Sequence, residues 1–552
     1  MGQPNNISLV IGDEKQSIPV GTTLQELSRR FQPKHSSTIV AAMVNGEIKE
    51  LTEPLTEEAE VRFLDLSCDD GQRIYIRSLS FLLIRAAADI LPGSQISVEH
   101  SLGNGLYVEL RESRPLAQED VQALEQRMQE LAEANLPFKK EQMPLDQAAD
   151  IFRRQGQTDK AELLKYRKKD YLNVYELDGL YDYFFGYMVP STGFLTQFTL
   201  HFYLPGMILM FPNRSKPEAL PVYKDQPKLA TIFRESERWG DILGVGDVAS
   251  LNRILAKGQG SELIRIAEAL HEKKVAKIAD EITANSDRVR LVFIAGPSSS
   301  GKTTFCQRLY IQLRVNGLRP VTISLDDYFV NREDTPRDET GEYDFEALEA
   351  LDLELFNHQL VKLIQGLEVE VPVFDFNLGR RTWVGRKLKA EPGQPIIIEG
   401  IHGLNPKLTL GIPKETQFRV YISALTQLNI DRHNRIPTTD SRLLRRIVRD
   451  SKFRSAGAEE TILRWSSVRR GEERNIFPFQ EEADVMFNSA LVYELAAIKH
   501  QAEEVLTRVL PGSPAYPQAK MLTKFLAYFL PLSSADTEEI PRNSILREFI
   551  GI

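Results

Sequence analysis

The chain has 552 residues, 42% hydrophobic and 26% charged, with 68 Lys and Arg against 77 Asp and Glu for a formal charge of -9. That length exceeds one hydrophobic core and predicts roughly three or four domains, while the composition excludes a disordered or fibrous chain and supplies no global basic charge for holding nucleic acid. Two cysteines, Cys68 and Cys306, are too few for a disulfide framework or a Cys-rich zinc site.

The N-terminus lacks a basic segment followed by a long apolar one, and no apolar run approaches the length of a membrane span. Asn6 stands where a myristoylation signal carries Ser or Thr. The expectation is a cytoplasmic protein without a membrane anchor. Residues 1–66 read as a small α+β domain. NISLVIG and QSIPV alternate as strands about the turn GDEK, TLQELSRRF has helical spacing after a cap at Thr22, and TIVAAMVNG, EIKEL and EVRFLDL supply further strands. IPVGTTLQELSRRF, AAMVNGEIKELTEPL and AEVRFLDL resemble the TGS domain, a ubiquitin-like module at the N-terminus of threonyl-tRNA synthetase and in some GTPases.

Residues 67–215, beginning near GQRIYIRSLSFLLIRAAADILPG, resemble the second additional domain that follows TGS in that synthetase. The family carries two histidines one helical turn apart, a metal or catalytic geometry; Arg77 and Phe81 stand at those places here. DYFFGYMVPSTG, 182–193, also lacks the later Cys and His of the family. Hydrolytic editing is therefore not expected, and the segment reads as an inherited scaffold or an RNA-facing surface; across the N-terminal half, RRFQPKH (29–35) and YRKKDY (166–171) are short basic-aromatic patches. His100 and His201 read as packed or surface residues. Residues 216–285 open with the Pro-rich RSKPEALPVYKDQPK and continue as three helical segments, a linker and connector.

Residues 286–490 carry the strongest motif. VRLVFIA reads as a buried strand, TTFCQRLYIQLRVNG as a helix closed by Gly317, and GPSSSGKT lies between them. Gly296, Pro297, Ser298, Ser299, Ser300, Gly301, Lys302, Thr303 and Thr304 form the expected ATP grip. The glycines let backbone N–H groups face one phosphate, the helix end adds positive potential, Lys302 reaches the β/γ-phosphates and Thr303 is the expected Mg2+ ligand. PVTISL ends in Asp326 and Asp327, and PIIIEG ends in Glu399. Strand ends form the ligand crevice of an open α/β sheet, so Asp326 is the candidate general base and metal ligand and Glu399 the second acid. Asp327 is left between turn residue and acid, and His402 is unassigned. DSRLLRRIVRDSKFR gathers six cations with little acid, which suggests a phosphate-facing lid.

In order, the loop, SLDDYF, YDFEALEALD, VPVFDF, IIIEGI and DSRLLRRIVRD resemble the uridine kinase and phosphoribulokinase family. The resemblance implies Asp326 as base, Thr303, Asp326 and Glu399 around Mg2+, and Arg445, Arg449 and Arg454 in the lid. It also implies Asp344 and Arg442 as contacts of an acceptor sugar. Phe374 and Gly379 stand where uridine-cytidine kinases have the Tyr and His that read the base, so Arg381 or Asn377 is left to substitute, or the acceptor is a different alcohol. Residues 491–552 read as a helical extension, with Phe525, Tyr528 and Phe529 in its core face.

The fold class is thus multidomain: an N-terminal ubiquitin-like TGS domain, a synthetase-like α+β domain and a C-terminal P-loop kinase with a parallel doubly wound sheet. The whole arrangement resembles bacterial uridine kinase-like proteins. It implies Mg2+-dependent transfer from ATP to a small-molecule acceptor, a nucleoside. A sugar or phosphoribulokinase-like acceptor and an ATP-switched RNA- or tRNA-binding protein are the alternatives, and homo-oligomerisation is left open.

Overall fold

The computed structural model describes residues 6–12, 14–111, 114–339, 341–376, 378–409, 411–426 and 428–551; Asn377 lies outside them. The first sheet is built from β1 (Asn6–Ile11), β2 (Glu14–Pro19), β3 (Ala41–Val44), β4 (Glu47–Glu50) and β5 (Ala59–Leu64), in the order β2-β1-β5-β3-β4, with α1 (Leu24–Phe31) against it. Strand alternation puts Leu9, Ile11 and Val61 into one core with Leu24 and Leu27. The cap of α1 is Thr23 and not Thr22. Glu26 stands three residues after Thr23 and completes a capping box, its Oε2 accepting from the Thr23 amide at 2.9 Å. The Thr22 hydroxyl instead donates to Pro19 O.

The next region runs α2 (Asp69–Ile90), β6 (Gln95–Leu102), β7 (Gly105–Arg111), α3 (Gln118–Glu133), β8 (Lys139–Pro144), α4 (Leu145–Arg154), α5 (Thr158–Leu163), β9 (Tyr171–Leu177), β10 (Leu180–Asp182), β11 (Thr199–Tyr203) and β12 (Gly206–Met210). Its strands form two antiparallel sheets, β10-β9-β8 and β11-β12-β7-β6. The connector supplies α6 (Pro227–Leu243), α7 (Val248–Ala256) and α8 (Gly260–Ala284).

The kinase-like part comprises β13 (Leu291–Ala295), α9 (Lys302–Val315), β14 (Val321–Ser324), α10 (Leu353–Ile364), β15 (Val369–Glu370), β16 (Val373–Asp375), β17 (Arg380–Thr382), β18 (Lys387–Leu388), β19 (Ile396–Glu399), β20 (Gln417–Ser423), α11 (Thr438–Phe453), α12 (Ala458–Asn475) and β21 (Val485–Asn488). Its central sheet, β14-β19-β13-β20-β21, is parallel throughout. β13 is apolar at every position because both faces are covered: Leu291 and Phe293 meet the α10 side, Val292 and Ile294 the α8, α9 and α11 side. α13 (Glu494–Leu506), α14 (Tyr516–Leu526), α15 (Ser534–Glu538) and α16 (Arg547–Ile550) complete the chain.

One core runs from Phe152 in α4 through α8, the parallel sheet and α11 to Phe525 and Phe549. The connector and C-terminal helices are therefore integral to the core around the parallel sheet, and Phe525, Tyr528 and Phe529 lie within it. Ion pairs also bind the halves: Arg73 of α2 meets Asp440 of α11 at 2.7 Å, and buried Asp182 takes both Lys160 and His433. Among the described residues, no helix is long and apolar enough to cross a membrane.

Candidate active site

The phosphate loop joins the buried end of β13 to α9. A Cβ on Gly296 would fall 1.9 Å from Ile422 O, so only glycine lets the loop pass β20. Gly301 has φ +83° and would carry its Cβ 2.4 Å from Ile545 Cγ2. Lys302 folds back over the loop and donates to Gly296 O and Pro297 O, both at 3.1 Å. Burial holds its ammonium below the usual range against the pull of Glu399, Asp326 and Glu548.

β14 and β19 pair Ser324 with Glu399 at their carboxyl ends, which brings the turn carrying Asp326 beside the loop. Glu399 Oε1 accepts from the Ser324 hydroxyl at 3.1 Å and the Thr303 hydroxyl at 3.5 Å. Burial and the neighbouring Asp326 push Glu399 up to about 7. Burial likewise raises Asp326, opposed by Lys302, Arg454 and Arg449. Two raised acids beside the Thr303 hydroxyl are the kind of oxygen donors that suit a divalent cation. Among the described residues, no group of three or more His, Cys, Asp or Glu forms a closed metal cage. Thr303, Asp326 and Glu399 are the residues that fit Mg2+.

Asp327 has a structural task. Its carboxylate accepts from the Phe374 amide and from Arg386, both at 3.3 Å, and so ties the β16–β17 hairpin to the turn carrying Asp326.

The arginines of α11 divide by face. Arg442 is 1% exposed; its Nε donates to Ser298 O at 2.9 Å and its Nη2 to Glu472, which itself accepts from the Ser298 amide at 2.9 Å. Arg445 is fully buried, bonded to Glu494 at 2.5 Å and to Ser489 O at 2.9 Å. Both prop the loop from beneath, with their charge taken by carboxylates. The expected sugar contact at Arg442 and lid role at Arg445 therefore do not fit this geometry. Arg449, bonded to Asp450 at 2.8 Å, and the half-exposed Arg454 are the lid candidates whose charge reaches Asp326.

On the acceptor side, Asp344 is buried in the loop before α10, accepting from the Glu346 amide at 3.2 Å and lying 3.6 Å from Arg474. Phe374 stands in an aromatic group with Phe329 and Phe376, ring centroids 5.7 and 5.1 Å away. Arg381 turns aside to Asp352, the cap of α10, at 2.7 Å, so it does not replace the missing base reader. Gly379 has φ +65°, and the Arg332 guanidinium fills the place of a side chain there, 2.8 Å from where a Cβ would stand. His402 is buried, which lowers it to about 4 and keeps it neutral.

Sequence reasoning missed three carboxylates: Glu472, Glu494 and Glu548. Glu548 Oε2 accepts from the Thr304 hydroxyl at 2.9 Å and its amide at 3.4 Å.

The positions of the absent histidines are filled. Arg77 donates to Tyr187 O at 2.7 Å and packs on Gly186, where a Cβ would fall 2.4 Å from the guanidinium carbon. Phe81 is fully buried between Phe184 and Phe138.

Residues 291–496 match the family model described as "Phosphoribulokinase / Uridine kinase family". The N-terminal region matches threonine–tRNA ligases. That of Maricaulis maris (strain MCS10) is 28% identical over 189 residues, 34% of this chain and 29% of the ligase. That of Halorhodospira halophila (strain DSM 244 / SL1) is 29% identical over 179 residues, 32% and 28% respectively. The chain thus spans less than a third of the length of these curated relatives. Among solved structures, a possible uridine kinase from Bacillus stearothermophilus is 21% identical with TM-score 0.24, covering 36% of this chain and 89% of that one. D-glycerate 3-kinase from Cryptococcus neoformans var. grubii serotype A is 14% identical with TM-score 0.21, covering 50% and 89%. The loop and the parallel sheet give residues 291–496 a P-loop architecture, and the same residues are similar to the phosphoribulokinase and uridine kinase family.

Proposed function

We propose that this chain transfers the γ-phosphoryl group of ATP to the primary hydroxyl of a nucleoside, in a Mg2+-dependent reaction within the cytoplasm. The observation that carries the reading is the acid pair Asp326 and Glu399, held at the ends of β14 and β19 opposite Lys302 and the loop. Mg2+, when bound, would supply positive charge to offset the phosphates. The loop amides and Lys302 orient the phosphates, and Thr303, Asp326 and Glu399 present oxygen ligands. Asp326 accepts the proton of the acceptor hydroxyl as the oxygen attacks, an assignment supported by a carboxylate that burial raises above its ordinary range. Arg449 and Arg454 stabilise the transferring group and exclude water. Asp344 holds a vicinal diol through two accepted hydrogen bonds, and Phe374 offers a ring face to the base.

The base-reading positions give weak discrimination, because Gly379 is covered by Arg332 and Arg381 is committed to Asp352. ADP release across ribonucleosides, deoxynucleosides and sugar phosphates, with Asp326→Ala as control, tests the reading. Stimulation by ribonucleosides alone supports it, and stimulation only by sugar phosphates moves the acceptor class to a phosphoribulokinase-like alcohol. The match to threonine–tRNA ligases favours one second reading, an ATP-switched RNA binder. That reading prevails if no small acceptor stimulates turnover while RNA changes ATP affinity.

A further inference from the structure

The last residues of the chain finish against the phosphate loop. Ile545, Leu546, Phe549 and Ile550 are buried, with Ile545 over Gly301 and the Phe549 ring 4.9 Å from the Arg445 guanidinium. Lys452 donates to Ile550 O, and Arg547 donates to Ile540 O at 2.6 Å. These anchors aim one polar side chain at the loop. Glu548 takes the Thr304 hydroxyl and amide.

Thr304 is the third residue of α9, so its N–H is one of the donors that an α-helix leaves without an internal partner. The first turn of a helix of this length attracts anions, and in a phosphate loop those same donors serve the nucleotide. Here a carboxylate of the chain itself sits on them. We propose that Glu548 is an internal competitor of the nucleotide. It occupies an anion position at Thr304 that a nucleoside di- or triphosphate needs, and it must swing out for tight binding, so the C-terminal segment sets nucleotide affinity. The inference rests on the nucleotide-binding reading above.

The test is ADP affinity by titration calorimetry for the full-length chain and its Glu548→Gln and Glu548→Ala forms, at low salt and at about 0.5 M salt, where charges acting at a distance are screened. Both variants are expected to bind ADP about tenfold tighter at both salt concentrations, the scale of one charge-assisted hydrogen bond no longer in competition. Without ligand, neither should melt above the parent chain, since each loses a helix-end contact. Unchanged or weaker ADP binding overturns the proposal and makes Glu548 a plain helix cap. A gain that vanishes at high salt also overturns it, because the effect is then repulsion at a distance. Absence of ADP binding by all three chains removes the nucleotide reading itself and this inference with it.

Discussion

Two regions of this molecule, the surroundings of Arg77 and Phe81 and the phosphate loop, differ in how their charges are satisfied. In the N-terminal half, Arg77 is bonded to Tyr187 O and stacked on Gly186, Phe81 is sealed among rings, and nearby Glu50 takes Lys140 and the Met188 amide at 3.0 Å each as well as the Tyr175 hydroxyl. At the phosphate loop, burial and the charge of Asp326 raise Glu399, burial and the charge of Asp327 raise Asp326, and Lys302 is held back by burial. Polar groups engaged with neighbours inside the protein are not presented to a ligand. A pocket that keeps like charges together against their preference has been shaped for a partner that relieves them.

The sharpest way to break that comparison is Asp326→Asn. If the raised carboxylate accepts the acceptor's proton, turnover should fall by on the order of a thousandfold while ADP affinity changes only a few-fold. Steady-state ADP release and calorimetry on one preparation separate the two quantities. Turnover that survives the substitution removes Asp326 from the proton path.

Arg442→Ala tests the loop's underside. It leaves Glu472 buried without its principal cation, and removal of one member of a buried pair typically costs about 3–5 kcal/mol. Urea unfolding should show that loss, and the loop should lose nucleotide affinity with it, since Glu472 also holds the Ser298 amide. Wild-type stability in the variant contradicts a supporting role.

This pair also marks where sequence stops being informative. β13, the loop and α9 were readable because strand period, glycine spacing and helix start are local, and Asp326 and Glu399 followed because strand ends face the crevice. The cations of α11 looked like one functional cluster because helical spacing says which residues share a face and not which face is buried. Their fates are decided by Glu472 and Glu494, 30 and 49 residues further on, and the loop's partner Glu548 lies 244 residues from Thr304. No local pattern encodes such pairings. The filling of Gly379 by Arg332 was hidden for the same reason.

Glu346 sharpens the comparison from the rim of the acceptor loop. Burial, with Glu472 and Asp344 nearby and Arg446 opposing, pushes its carboxyl up to about 7. A carboxyl whose folded value lies above its ordinary 4.5 favours folding below that ordinary value, and the benefit is lost as pH rises through about 7. Glu346→Gln should therefore stabilise the chain by about 3 kcal/mol at pH 8 and by less than about 1 kcal/mol at pH 5. Denaturation at the two pH values checks this. A pH-independent difference points to packing against Gly471, where a Cβ would meet the Glu346 side chain at 2.3 Å.

The smallest expected effect belongs to the other pocket. Arg77→Met keeps most of the volume beside Gly186 and removes a guanidinium that burial has already lowered to about 10. Replacing a buried charge by an apolar side chain of similar size is often close to neutral, so stability should move by less than about 1 kcal/mol. Turnover should stay within about twofold of the parent, a free-energy change below 1 kcal/mol. A large fall in turnover with stability intact would mean that the filled pocket communicates with the phosphate loop. The route is already present in structure, from α2 through Arg73 to Asp440 at the start of α11 and on to Arg442 beneath Ser298. Arg73→Met then decides whether that ion pair carries the signal: equal losses in both variants place it on the path, and a loss confined to Arg77→Met assigns the coupling to the loop 183–187 and its contacts with Asn434.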